Sequence, residues 1–220
     1  MSHALCGSIR ILLKEYLLLI TQLDTEFNNA DLTLQKVWFY VQNSIRVMDS
    51  LKRLVIEAGN KKGGALLNVI YRLMINSSDK SIRDLFEFIL EKSSVPYIGI
   101  LKKWIFEGIL DDNFEEFIVK ENAEFKKEQV SQDLNNLYWL ERFTFREEMI
   151  PNFLLKYKQK VLHTGKYLNV IRETGRDIKY TSASLQDREA FPNSVVAAYQ
   201  QEEHEQIDSS GLNMPNIQNQ

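Results

Sequence analysis

The sequence predicts a mainly α protein, an irregular helical bundle, and three observations carry that reading. Apolar residues recur at steps of three and four over most of residues 3–175. Caps and breakers, such as Thr33, Asp79 and the glycines of "GNKKGG", fall between those runs. Only one stretch, "ILDDNFEEFIV" (109–119), looks like strand sequence around a turn, and it leaves room for one small β-hairpin.

The elements follow in order. From His3 to about Asn28, Leu5, Ile9, Leu12, Tyr16, Leu17, Ile20, Leu23 and Phe27 form the stripe of one long amphipathic helix. Asp31 or Thr33 caps a second helix, whose stripe is Leu34, Val37, Val41, Met48, Leu51 and Val55, widened by Trp38 and Ile45. "GNKKGG" (59–64) stops it. Two short helices follow, from Ala65 and from a cap at Asp79. A third opens near Ser94 with Pro96 in its first turn, where the missing N–H costs nothing, and Gly108 ends it. Residues 121–137 are highly charged and read as a solvated helix or excursion. "YWLERFTFREEMIPNFL" is dense in aromatics and has to pack. Pro151 opens a last helix, with Leu154, Tyr157, Val161, Leu168 and Ile171 on one face. Residues 179–220 are polar, Gln/Asn-rich and without period, which predicts a disordered tail.

Composition narrows the function classes. Net charge is -3, against the strongly basic balance of a general nucleic-acid binder. The single cysteine, Cys6, excludes an internal disulfide and suits a reducing cytosolic setting. It reads as a small buried apolar residue of the first helix rather than a nucleophile. The apolar run "YLLLI" (16–20) is far short of the ~20 residues of a bilayer span. His3, His163 and His204 lie far apart and no paired-cysteine motif occurs, so no zinc site is expected.

Other motifs fail at their strictest positions. Asp111, Asn113 and Glu115 have the spacing of a calcium loop, but Glu116 stands where glycine is required and Asn122 where glutamate is. Asp111/Asp112 and Glu115/Glu116 could form an acid/base pair, but no nucleophile lies nearby in sequence, and a solvated turn is the simpler reading. "TGKY" (164–167) lacks the earlier glycine of a phosphate loop, with Lys160 in its place. Lys156, Lys158, Lys160 and Lys166 read as a solvated face. What remains is packing. Trp38, Tyr97, Trp104, Phe106, Phe117, Trp139 and Tyr167 are the candidate core or interface residues, and the tryptophans favour core. No cofactor and no metal is expected.

Four separated segments also resemble a known family. They are "ALCGSIRILLKEYLLLITQLD", "LTLQKVWFYVQNSIRVMDSL", "SSVPYIGILKKWIFEGILDDNFEEFIVKEN" and "MIPNFLLKYKQKVLHTGKYLNVIRETG". In order, they resemble the gamma-tubulin complex components, or grip proteins. The third carries the pattern Pro96, Tyr97, Leu101, Trp104, Ile105, Gly108, Asp112, Glu116 and Phe117. The fourth carries Thr164–Glu173. The resemblance covers about residues 3–178 and implies part of an N-terminal grip domain. It implies a non-catalytic helical scaffold that packs laterally on neighbouring components, component 3 first among them, and templates microtubule nucleation at centrosomes and spindle poles. Gamma-tubulin is held in the family by a C-terminal domain not seen here. The resemblance therefore implies a fragment or a shortened chain, with direct gamma-tubulin binding absent or weak. The rival reading is a generic helical protein–protein adaptor unrelated to microtubules. No nucleic-acid or membrane partner is expected.

Overall fold

A computed structural model describes residues 1–30, 32–122 and 141–175. The helices are α1 (Ser2–Asn28), α2 (Leu34–Ala58), α3 (Gly63–Ile75), α4 (Lys80–Glu107) and α5 (Lys158–Glu173). Strands β1 (Val119–Glu121) and β2 (Phe143–Phe145) pair antiparallel, with Lys120 opposite Thr144. Two 3₁₀ turns, Glu147–Met149 and Asn152–Leu154, lead from β2 to α5. The protein is mainly helical with one small sheet, as the sequence predicts. The expected tail and most of the charged stretch 121–137 lie outside the described residues, as does Asp31.

Helix α4 is the axis of the bundle. It packs on α1, α3 and α5, and its buried apolar and aromatic residues are Phe86, Ile89, Leu90, Tyr97, Ile98, Leu101 and Trp104. Its cap is Asp79, whose side chain accepts from the Ser81 N–H at 3.0 Å. Thr33 caps α2 in the same way, accepting from Lys36 N–H at 3.3 Å.

Several expectations are corrected. The two helices read around Pro96 are one continuous helix, with Pro96 in its interior. Proline removes one helical hydrogen bond, here the one Lys92 would receive, at a cost of about 3 kcal/mol. Tyr97, Ile98 and Leu101 bury the next turn, and that burial outweighs the loss. Helix α3 starts two residues early, at Gly63. A Cβ on Gly63 would lie 1.9 Å from the Glu116 carbonyl oxygen, and one on Gly64 2.0 Å from that of Met149. These glycines serve close backbone packing as well as punctuation. The last helix starts at Lys158 rather than Pro151, because 152–157 is taken up by the 3₁₀ turn and a further turn.

No hairpin forms within 109–119. Asp112 holds this segment as a turn, and Val119 pairs instead with Phe145 of a distant strand. In α2 the buried positions are Leu51, Leu54 and Ala58, all in its last third, while Leu34 and Val55 of the expected stripe face solvent. Cys6 is exposed rather than buried. Among the described residues, no helix is long and apolar enough to cross a membrane.

Candidate interaction surface

The aromatic candidates separate into two groups. Trp104, Tyr97 and Phe117 are fully buried. The Trp104 indole N–H donates to the Val161 carbonyl at 2.9 Å, which satisfies its one donor inside the core. Its ring lies against Gly165, where a Cβ would approach Cε2 to 1.9 Å, and meets Phe143 edge-on at 5.0 Å between centroids. Tyr97 lies 5.4 Å from the Phe117 ring and 6.5 Å from Phe153. One knot therefore ties α4 to α5, to the turn before β1, and to the 3₁₀ segment. Phe106 is half-buried. Trp38 and Tyr167 are 62% and 68% exposed and join no core. Trp139 lies outside the described residues.

The acidic turn is a structural joint. The Asp112 carboxylate is almost wholly buried. It accepts from the Glu116 and Phe117 N–H groups at 2.9 and 3.0 Å, and from the Arg146 guanidinium at 3.0 Å. Asp111 pairs with Lys103, which raises the lysine pKa through that hydrogen bond and charge. Glu115 also meets Arg146, at 3.1 Å, and Glu116 meets the Met1 amine at 2.6 Å. His163 sits elsewhere, on α5, stacked on Tyr167. Each of the four carboxylates thus has a cationic partner. Among the described residues, no cluster of His, Cys, Asp or Glu is arranged to hold a metal.

The distinctive surface lies at the other end. Helix α1 runs antiparallel to α4. Its start reaches Glu116, beyond the end of α4, while Leu12, Tyr16 and Leu19 share a cleft with Ser81, Leu85 and Phe88 near the start of α4. The remaining residues of α1, 20–28, continue past that point, about 14 Å of helix at 1.5 Å per residue. The beginning of α2 accompanies them. This overhang exposes Ile20 and Phe27 on α1, and Leu34, Trp38 and Phe39 on α2, while Leu17, Leu18 and Ile45 are exposed beside it. Leu34 is 86% exposed and Phe39 74%. Single exposed apolar residues are ordinary, but so many at one end of two neighbouring helices mark a candidate interaction site.

One signal for it was present in the sequence. Trp38, Phe39 and Tyr40 are consecutive, and successive helical side chains point about 100° apart. A single core face cannot take all three. By contrast, nothing in the local sequence pairs Asp112 with Arg146, which are 34 positions apart.

Fold and surface define a class: a helical bundle with a cross-linked core and an apolar helical overhang. Residues 1–210 match the family model "Gamma tubulin complex component N-terminal". The chain belongs to that family, as its sequence resemblance implies. It is 41% identical over 180 residues to gamma-tubulin complex component 2 of Mus musculus, covering 80% of this chain and 20% of the relative. It is 36% identical over 181 residues to gamma-tubulin complex component 2 of Arabidopsis thaliana, covering 81% of this chain and 26% of the relative. Against spindle pole body component alp4 of Schizosaccharomyces pombe it is 25% identical over 240 residues, covering 89% and 30%. The chain thus spans between a fifth and a third of the length of these relatives.

Proposed function

We propose that this chain is a non-catalytic scaffold element of a gamma-tubulin complex. It makes lateral contact with neighbouring components, and so contributes to the template for microtubule nucleation at a microtubule-organising centre such as a centrosome or spindle pole. The observation that carries the reading is the apolar overhang of α1 and α2, on a chain of this family. A fully buried aromatic hides 150–250 Å², on the order of 4–6 kcal/mol at ~25 cal/mol per Å². Trp38 and Phe39 leave most of that unrealised in the isolated chain. A neighbour that covers them gains it, less the cost of association. The expected neighbour is another component, component 3 first. Direct binding of gamma-tubulin is absent or weak in this reading.

A pull-down tests it, using the full chain with purified component 3 and purified gamma-tubulin in separate reactions. Capture of component 3 without gamma-tubulin is the expected result, and the Trp38→Glu/Phe39→Glu variant should lose it. Failure of a folded chain to bind component 3 would overturn the lateral reading. The same result would favour a general helical adaptor.

A further inference from the structure

A second surface has a different chemistry from the overhang. Between Leu155 and Arg172 the chain carries Lys156, Lys158, Lys160, Lys166 and Arg172, with no Asp or Glu, although its net charge is -3. Helix α5 buries Val161, Leu162 and Gly165. The exposed residues Lys160, His163 and Tyr167 follow at steps of three and four, so they form one outward ridge. Two aromatic rings beside it are engaged by cations. Lys160 Nζ lies 5.8 Å from the Tyr157 centroid and Lys158 Nζ 5.9 Å from that of Phe145. Nucleic-acid bases need open ring faces to stack on. Those two rings are held by lysines, and the ridge's own Tyr167 is stacked on His163, which favours a polypeptide carboxylate over stacked bases.

We propose that this ridge binds an acidic polypeptide segment, and that the occupant is residues 202–208 of the same chain. The charges sort to match. Residues 176–199 are balanced, with Arg176, Lys179 and Arg188 against Asp177, Asp187 and Glu189. Residues 200–220 hold Glu202, Glu203, Glu205 and Asp208 and no Lys or Arg. The connection also reaches. From Gly175 to Glu202 the chain advances 27 positions, about 90 Å fully extended and about 40 Å even if wholly helical. The 16 residues of α5 span only about 24 Å. Tethering makes the encounter intramolecular, so weak individual ion pairs suffice at the resulting effective concentration.

Zero-length carbodiimide cross-linking of the full chain tests the contact. Equal amounts of ¹⁴N- and ¹⁵N-labelled chain are mixed, and the cross-links are read by mass spectrometry. The expected result is links from Glu202, Glu203 or Glu205 to Lys156, Lys158, Lys160 or Lys166, within single isotopic copies. They should fall at least ~10-fold between 0.1 M and 1 M salt, as the screening length shrinks from ~10 to ~3 Å. Glu202→Gln/Glu203→Gln/Glu205→Gln should remove them while the helical signal of the chain stays unchanged. Absence of these links would overturn the proposal. So would equal yields on Lys52, Lys92 and Lys102, or loss of the links on adding an oligonucleotide that itself cross-links to α5. Mixed-isotope links would overturn it in favour of a second copy as the occupant.

Discussion

Gly165 and Asp112 show how single residues hold this fold. Gly165 leaves no room for even a methyl group beside Trp104. Gly165→Ala should therefore lower stability by about 1–3 kcal/mol, the usual cost of overpacking a core. The exposed neighbour Thr164→Ala should stay within about 0.5 kcal/mol. Urea midpoints of the two variants check this, and equal midpoints would show that α5 shifts freely on α4. Asp112 collects two backbone N–H groups and one guanidinium. Asp112→Ala leaves both N–H groups without their acceptor and Arg146 with Glu115 alone. Its expected cost is about 3 kcal/mol, at the low end for breaking a buried pair because Arg146 keeps some access to solvent. A double-mutant cycle with Arg146→Ala should show coupling, and strict additivity would mean that the pair contributes nothing of its own.

At the scale of the element, α4 carries a local conflict. Pro96 breaks the helical ladder in the middle of a helix that the rest of the molecule packs around. Pro96→Ala restores the donor to the Lys92 carbonyl and removes the ring clash, together worth about 3 kcal/mol. It also frees the unfolded chain, at a cost of up to about 1 kcal/mol. The first effect is larger, so the variant should be more stable by about 2 kcal/mol and show a higher urea midpoint. No change would mean that α4 bends at this point without strain. This element also shows what a single sequence can reveal. Periodicity and caps were enough to find the helices, because Asp79 and Thr33 act through neighbours two and three residues away. They could not join the two helices around Pro96, because the force that keeps α4 continuous is the burial of Tyr97, Leu101 and Trp104 against distant segments. The pairing of Val119 with Phe145 was hidden for the same reason, since register depends on a partner strand 26 positions away.

At the scale of the whole molecule, the two ends differ in how their apolar residues are satisfied. Around Trp104 every large aromatic has a partner within the chain. At the overhang of α1 and α2, Phe27, Leu34, Trp38 and Phe39 are mostly exposed to solvent. The expected candidates Trp38 and Trp104 looked alike in sequence, because local pattern records that a helix has an apolar stripe but not how far its packing partner extends. α4 begins at Lys80 and, among the described residues, no third helix accompanies the far turns of α1 and α2. The isolated chain should therefore self-associate through this end. Sedimentation velocity at tens of micromolar should show species larger than the monomer, increasing with concentration. Trp38→Glu/Phe39→Glu should return it to monomer. Both positions are exposed on the second turn of α2, away from its buried residues, so helicity and the urea midpoint should hold. A wild-type chain that stays monomeric under these conditions would show that the overhang is too small to bind on its own. The proposed lateral contact would then need further surface contributed by the neighbouring component.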